Sequence, residues 1–142
     1  MVELLAPAGK RDSLIAAVEN GADAVYMSGG KFGARAFAPN FSDEELLWAV
    51  DYCRLNKVKS YITVNTLVPD RELEELSRFL SYINQIGVDA AIVQDLGVAA
   101  VAAKTVPGLC LHASTQAFVT DAGGVEYFKN LGFSRVDRKS VV

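Results

Sequence analysis

The sequence predicts an α/β protein in which short buried strands alternate with amphipathic helices around a parallel sheet. Short runs of apolar and β-branched residues recur along the chain, and longer segments with helical periodicity separate them. We expect six strands, centred on Glu3–Ala6, Ala24–Met27, Ser60–Asn65, Ala90–Gln94, Leu109–Ser114 and Phe133–Val136. Each run is short and apolar, as strands buried on both faces of a parallel sheet are.

The segment that begins at Ser42 carries the signature of a helix N-terminus. Ser42 and Glu45 form an S-x-x-E capping box, in which the hydroxyl and the carboxylate bond the free backbone N–H groups of the first turn. Apolar residues then recur on one face, and we expect this helix to end near Asn56.

A second long helix is predicted over Arg71–Ile86, with Asp70 before it. Its apolar residues recur at helical spacing, while the charged residues fall on the other side. These apolar residues are Leu73, Leu76, Leu80 and Ile83. Gly87 then provides a left-handed C-cap.

A weak internal repeat joins helices to strands. The segments Gly21–Val25, Gly87–Ala91 and Gly132–Val136 each start with a glycine and carry Asp or Ser two residues later. We expect the glycine to adopt a positive φ and the polar side chain to bond local backbone before the strand begins. The same helix-to-strand turn is therefore predicted at all three places.

Two architectures fit this order of elements: an open doubly wound sheet and part of a (β/α)8 barrel. The length of 142 residues favours the open sheet, because a barrel typically needs about 250 residues to close. Polar residues at the ends of several strands favour the barrel, because barrels build their sites at the carboxyl ends of their strands.

The composition describes a globular domain. Asp and Glu number 17 against 14 Lys and Arg, so the net charge of -3 lacks the basic balance of a domain that holds nucleic acid mainly through phosphates. The chain shows no basic signal region and no apolar stretch near about 20 residues, so we expect neither secretion nor membrane insertion. Cys53 and Cys110 lie in different predicted elements, which indicates no disulfide or zinc motif. We expect a cytoplasmic protein with two buried thiols.

Polar side chains follow three consecutive predicted strands. Asn65 ends the third strand, Gln94 ends the fourth, and His112, Ser114 and Gln116 occupy alternate positions at the end of the fifth. Because the carboxyl ends of parallel strands meet at one edge, we expect these groups to lie at one mouth. We predict catalytic roles for His112, Gln94 and Asn65, and substrate binding by Ser114 and Gln116.

The residue types indicate what this mouth can do. His112 is the only histidine, and an ordinary imidazole pKa of about 6.5 allows it to act as acid or base. A buried amide must find partners, and a substrate can supply them. A serine nucleophile is disfavoured, because Ser114 lies two residues from His112 and the chain has no G-x-S-x-G elbow. The alternatives are structural: a neutral histidine bonded to backbone, and a helix cap at Asp95.

A glycine-rich stretch, Ser28–Arg35, follows the second predicted strand. Its backbone N–H groups and Lys31 could cradle an anion, although it matches neither a Walker A motif nor a dinucleotide-binding fingerprint. The alternative is a flexible loop with its cations in solvent. Arg35 stands between two alanines, and we predict that its guanidinium binds a carboxylate or phosphate of the substrate.

Six ordered segments carry a resemblance to a known family. They are Glu3–Gly9, Gly21–Tyr26, Phe32–Ala36, Thr63–Thr66, Val93–Gly97 and Leu111–Gln116. They resemble the N-terminal half of the collagenase-like peptidase family U32. This resemblance implies a TIM-barrel-like catalytic region over residues 1–136, truncated to about the first six strands. Residues 137–142 depart from the family pattern, and we interpret them as a truncation, a frame error or a natural short variant.

The resemblance implies two activities for the complete protein. The family label implies hydrolysis of peptide bonds. Relatives imply an alternative, an iron-sulfur-dependent factor that supports hydroxylation of a tRNA or rRNA base, with this region holding a small carboxylate cosubstrate near Arg35. A third hypothesis, of a different class, is a non-catalytic binding module.

The resemblance also sets expectations for cofactors and partners. The cluster-binding cysteines of the family lie downstream of this region, so we expect no cofactor within the chain and no cluster ligand in Cys53 or Cys110. The expected substrate is a peptide or an RNA, and no membrane partner is expected. A partial barrel exposes two unpaired strand edges, which predicts an inactive fragment that self-associates.

Overall fold

The structure is a computed structural model that describes residues 2–34 and 39–137. Its strands are β1 (Leu5–Pro7), β2 (Ala24–Met27), β3 (Lys59–Val64), β4 (Ala90–Val93), β5 (Cys110–Ala113) and β6 (Phe133–Val136). Its helices are α1 (Arg11–Glu19), α2 (Asp43–Leu55), α3 (Leu73–Gln85), α4 (Leu96–Thr105) and α5 (Ala122–Asn130). Short 3₁₀ turns precede α3 at Asp70–Glu72 and α5 at Thr115–Ala117.

All six strands are parallel and pair in sequence order from β1 to β6. A doubly wound sheet reverses its strand order at a switch point, whereas a (β/α)8 barrel adds each strand beside the last. The α/β prediction is therefore confirmed, with the strand order of a TIM barrel. The open doubly wound sheet, which chain length favoured, is wrong.

Side chains alternate between two faces of the sheet. The outer face packs against the helices and forms the main core. Its fully buried strand residues include Val25, Ile62, Val64, Ala91 and Val93. The inner face carries a smaller apolar cluster, in which Tyr61 lies in register with Tyr26 on β2 and Ala90 on β4. This inner face is only partly covered.

The helix and turn signals of the sequence are confirmed. At the start of α2, Ser42 Oγ accepts the Glu45 N–H at 3.2 Å, and Glu45 Oε2 accepts the Ser42 N–H at 2.8 Å. The glycines of the three repeated turns, Gly21, Gly87 and Gly132, have φ of 88°, 84° and 92°. Residues with a Cβ rarely adopt these values, so the repeat depends on glycine there.

The polar residue two positions after each of these glycines forms a hydrogen bond with the preceding strand or the segment beside it. Asp23 Oδ2 accepts the Leu4 N–H at 2.7 Å beside β1, and Asp89 Oδ2 accepts the Ser60 N–H at 2.8 Å in β3. The Ser134 hydroxyl donates to the Leu111 carbonyl in β5 at 3.3 Å. The predicted bond to local backbone is wrong, because parallel pairing places the preceding strand beside each turn. Each repeat thus fixes a new strand to the one before it.

An ion pair joins the last described strand to the segment before the first. Arg135 Nη1 lies 2.6 Å from Glu3 Oε1 across 132 residues of sequence. The Tyr61 hydroxyl donates to the same carboxylate at 3.0 Å, and Lys59 Nζ lies 3.3 Å from it. Because β1 and β6 occupy opposite edges of the sheet, this contact requires the sheet to curl around its inner face.

Two further differences from the sequence predictions concern the start of a helix and the burial of a thiol. The helix predicted from Arg71 begins at Leu73, because the preceding residues form a 3₁₀ turn. Cys53 is buried as predicted, but the buried thiol predicted at Cys110 is wrong. Cys110 is exposed at the first position of β5, on the inner face of the sheet. Residues 138–142 of the predicted tail lie outside the described residues.

No helix within the described ranges is long and apolar enough to cross a membrane.

Candidate ligand-binding site

A cavity of about 740 Å³ opens at the carboxyl ends of the strands. Inner-face residues of the sheet line it, including Tyr26, Thr63 and Ile92. The loops after β1, β2, β3 and β5 form its walls and contribute three of the predicted residues. These are Asn65, Ser114 and Gln116. The volume falls in the range of roughly 300–1,000 Å³ that is typical of small-molecule sites.

Asn65 follows β3 directly, and its side chain is held by the loop after β2. Its Oδ1 accepts the backbone N–H of Ala34 at 3.0 Å. The bond orients the amide: Oδ1, which keeps a second lone pair, faces the loop, and Nδ2 is the donor that Asn65 offers to a ligand. Asn65 therefore meets a ligand as a hydrogen-bond donor.

Gln116 presents the opposite chemistry. Its Oε1 is buried and has no hydrogen-bond partner within the described part of the chain. Its backbone N–H donates to Ser114 Oγ at 3.2 Å, which fixes the 3₁₀ turn that carries the side chain. Because an unpaired buried acceptor is costly, a ligand that donates a hydrogen bond to Gln116 would relieve that cost.

Ser114 connects the cavity to the sheet. The residue is 4% exposed, and its N–H donates to the Val93 carbonyl at 2.8 Å, which extends the ladder between β4 and β5. Since its Oγ accepts the Gln116 N–H, the Ser114 side chain orders the wall of the cavity.

His112 lies deeper than the cavity. It is 8% exposed and in register with Ile92, and its ring meets Tyr61 edge-on with 4.7 Å between ring centroids. Burial, and next the positive charge of Arg135, lower the pKa of His112 to about 4, so the ring is neutral at pH 7. The residue does not line the cavity. Its catalytic role stays a prediction.

One other predicted site residue lies apart from this cavity, and another cannot be placed against it. Gln94 is half-buried after β4 and is not among the residues that line it. Arg35 lies outside the described residues. Asp95 takes the structural role that was its alternative: its Oδ1 caps α4 through the Gly97 N–H at 2.7 Å, and its Oδ2 accepts the Val68 N–H at 3.0 Å.

The sequence analysis missed Tyr26 and Lys10 as residues of the site. Tyr26 is a half-buried residue of β2, and an aromatic residue in an apolar strand is usually read as core. Its alternation with the small Ala24, which precedes it on the same face, was the available signal. Lys10 follows β1 at the edge of the cavity and caps α1 with its backbone only.

The loop after β2 is anchored. The Thr66 hydroxyl donates to the Phe32 carbonyl at 3.1 Å, and Lys31 forms an ion pair with Glu75 on α3. The Phe32 ring packs against Phe79 with 5.8 Å between ring centroids. The described part of the loop is therefore tied to β3 and α3, and Lys31 does not lie free in solvent as the flexible-loop alternative expected.

A second polar cluster lies on the inner face, away from the cavity. The hydrogen bond from Arg135 lowers the pKa of Glu3 to about 2, and the Tyr61 hydroxyl adds to this effect against the cost of burial. Burial, with the hydrogen bond to Glu3, raises the pKa of Tyr61 to about 12. At neutral pH the cluster is therefore an ionised carboxylate held by a guanidinium and a protonated phenol.

The two cysteines do not fit an iron-sulfur cluster. Cys53 is packed in the buried face of α2, whereas Cys110 faces the open inner side of β5. Within residues 2–34 and 39–137, no three His, Cys, Asp or Glu side chains come together in a way that could hold a metal ion.

Six parallel strands in sequence order, with a cavity at their carboxyl ends, define an α/β protein of the TIM-barrel type. The model of peptidase family U32 matches residues 9–137. The chain belongs to peptidase family U32.

Solved structures agree with this fold. A U32 peptidase superposes with a TM-score of 0.78 at 19% identity, covering 96% of this chain and 57% of that one. The deoxyribose phosphate aldolase of Aeropyrum pernix superposes with a TM-score of 0.75 at 13% identity, covering 95% of this chain and 63% of that one. At such identities the likeness concerns the fold alone.

Sequence relatives carry names of two kinds. The chain is 39% identical over 128 residues to an uncharacterized protease of Methanocaldococcus jannaschii (90% of this chain, 31% of that protein). It is 39% identical over 137 residues to the 23S rRNA 5-hydroxycytidine C2501 synthase of Escherichia coli (95% and 20%). It is 33% identical over 134 residues to tRNA hydroxylation protein P1 of Bacillus subtilis (94% and 32%). The chain spans about a third or less of the length of these relatives.

Proposed function

We propose that this chain forms the base-binding part of a protein that hydroxylates an RNA base. The observation that carries the proposal is the pair of amides in the cavity, with Asn65 held as a donor and Gln116 left as an acceptor without a partner. The edge of a nucleobase offers both complements, because ring nitrogens and carbonyl oxygens accept while amino and ring N–H groups donate.

The spacing of the two amides suits a base. Asn65 follows β3 and Gln116 follows β5, so one strand lies between the strands that carry them. At the usual spacing of about 4.8 Å between neighbouring strands, β3 and β5 are about 10 Å apart. A planar base and a hydrogen bond at each end can bridge such a gap.

The cavity also supplies a surface for the ring and a positive charge. Tyr26 is a half-buried lining residue, and aromatic side chains stack on unpaired bases. Lys10 brings a cation to the edge of the cavity, where a phosphate or the small carboxylate cosubstrate would meet it. Stacking and base-edge bonds fit an acidic chain better than binding through phosphates does.

The names of two relatives support the same activity, since the synthase and protein P1 are named for hydroxylation of rRNA and tRNA. Because the chain covers at most a third of each, we assign it the binding of the base and assign the oxidising chemistry to the rest of the longer protein. The iron-sulfur cluster expected from the resemblance would be held there.

Peptide hydrolysis has weaker support from the geometry. A serine nucleophile needs a base within hydrogen-bond reach. Here Ser114 Oγ accepts the N–H of Gln116, and His112 packs on Tyr61 instead. The protease names in the family are therefore not matched by a nucleophile and base among these residues.

A chimaera tests the proposal. In the E. coli synthase, the 137-residue matching segment would be replaced by this chain, in a strain that lacks the native gene. We expect the chimaera to restore 5-hydroxycytidine in 23S rRNA, measured by mass spectrometry of the isolated rRNA.

Paired variants make the test specific. Asn65→Ala and Gln116→Ala in the chimaera should abolish the modification, whereas Asn84→Ala and Gln85→Ala remove the same groups from the exposed end of α3 and should leave it intact. A soluble chimaera that leaves the cytidine unmodified, or one whose activity survives both cavity variants, contradicts the proposal.

A further inference from the structure

We propose that Thr66 is a positioning residue that fixes Asn65 as a hydrogen-bond donor toward the ligand. The inference deepens the proposed function and rests on it, because it assigns to one loop the control of how the cavity recognises a base. It also requires that the ligand present an acceptor, and not a donor, to Asn65.

Two hydrogen bonds connect Thr66 to Asn65 through the loop after β2. The Thr66 hydroxyl donates to the Phe32 carbonyl at 3.1 Å. Two residues later, the Ala34 N–H donates to Asn65 Oδ1 at 3.0 Å. Thr66 and Asn65 are adjacent in sequence, so the two residues that directly follow β3 hold the loop at two points.

The clamp holds a backbone that would otherwise relax. Phe32 has φ of 62°, and a left-handed conformation is unfavourable for a residue with a Cβ. The residue is 8% exposed, its ring packs against Phe79, and its carbonyl accepts a hydrogen bond from the Thr66 hydroxyl. Such conformations persist when several contacts fix them together. Loss of the Thr66 hydroxyl removes the hydrogen bond to the Phe32 carbonyl and leaves the ring packing.

The orientation of the Asn65 amide depends on this clamp. If the amide turned over, its NH₂ group would face the Ala34 N–H, and two donors would oppose each other. While the loop is clamped, that orientation is excluded and Nδ2 faces the ligand. Once Ala34 moves away, both orientations become accessible, and a ligand must select one of them at a cost in affinity.

The test compares Thr66→Val, which keeps the shape and removes the hydroxyl, with Thr66→Ser, which keeps the hydroxyl. The 142-residue chain is titrated with cytidine and with uridine, and the dissociation constants are measured by NMR. We expect Thr66→Val to bind more weakly by about twofold, the factor set by selection of one of two equally accessible amide orientations, and Thr66→Ser to bind as the unchanged chain does.

Thr105→Val is the matched control. The Thr105 hydroxyl also donates to a backbone carbonyl, that of Val101 at 2.9 Å, but on the exposed surface of α4. Its loss should leave nucleoside affinity unchanged. Hydrogen exchange of the Ala34 amide gives a readout that global stability does not set: it should become faster in Thr66→Val and stay slow in Thr66→Ser and Thr105→Val.

Several outcomes overturn the inference. Affinity and Ala34 exchange that are unchanged in Thr66→Val would do so, as would an affinity loss in Thr66→Ser equal to that in Thr66→Val. If Thr66→Val does not fold, Thr66→Ala, which also lacks the hydroxyl, takes its place. Asn65→Asp tests the donor role separately, because a carboxylate still accepts the Ala34 N–H but offers no donor. Binding of a nucleoside by Asn65→Asp with wild-type affinity excludes the donor role. Failure of the unchanged chain to bind either nucleoside instead counts against the proposed function itself.

Discussion

Arg135 and Glu3 lie at opposite edges of the six-stranded sheet, yet the guanidinium donates a 2.6 Å hydrogen bond to the carboxylate. The Glu3 side chain is 20% exposed, so the pair is partly shielded from water. The guanidinium also lies 5.4 Å from the centroid of the Tyr61 ring. The curled shape of the sheet, and hence the concave cavity, therefore depends in part on this contact.

Replacing Glu3 with Gln should lower the free energy of unfolding by about 1–2 kcal/mol, because the amide oxygen can still accept from Arg135 but carries no charge to pair with the partly shielded guanidinium. Urea denaturation followed by circular dichroism measures this. The control is Glu74→Gln, which removes an exposed pair with Arg78 on α3 and should cost less than about 0.5 kcal/mol. Equal effects of the two substitutions would show that the Arg135–Glu3 pair contributes no more to stability than an exposed surface ion pair does.

The free energy of unfolding of the chain should decrease as the pH falls, in two separate pH ranges. A His with a lowered folded pKa stabilises the fold above its unfolded pKa, so the contribution of His112 is lost as the pH falls from about 6.5 to about 4. The folded pKa of Glu3 is also lowered, so its contribution to stability is likewise lost as the pH falls from 4.5 toward about 2.

Variants identify the group responsible for each pH range, in urea denaturation at a series of pH values. His112→Gln should remove the decrease in stability in the upper range, and Glu3→Gln should remove only the decrease in the lower range. A His112→Gln protein whose stability still falls as steeply between pH 6.5 and 4.5 would show that other groups cause the dependence.

The two thiols should differ in reactivity. Cys110 is exposed on the inner face, whereas Cys53 is buried, and burial raises the pKa of the Cys53 thiol to about 11. Because the thiolate is the reactive form, we expect a chromogenic disulfide reagent to label one cysteine rapidly in the native chain and both in urea. Cys110→Ser should remove the rapid phase. Rapid labelling that persists in this variant would contradict the open inner face.

Local signals predicted much of the fold. Ser42 and Glu45 predict the start of α2, because a capping box depends only on residues close in sequence. Gly87 marks the turn into β4 because its positive φ is a property of one residue. Chain length was misleading about architecture, because strand order, and not size, separates a barrel-type sheet from a doubly wound one.

The site was predicted less completely because it depends on depth and on distant contacts. Alternation along β5 places His112 on the same side as Ser114, but it does not show that the histidine lies one layer below the cavity. The orientation of Asn65 depends on Ala34, which is 31 residues earlier in the chain. A pattern read along one strand contains neither of these facts.

The most direct test of base binding by the cavity is a titration of the ¹⁵N-labelled 142-residue chain with cytidine. We predict chemical-shift changes at the side-chain amides of Asn65 and Gln116 and at the backbone of Tyr26, with the exposed amides of Asn84 and Gln85 unchanged. Shifts confined to other surfaces, or no shifts at millimolar nucleoside, would contradict the proposed function.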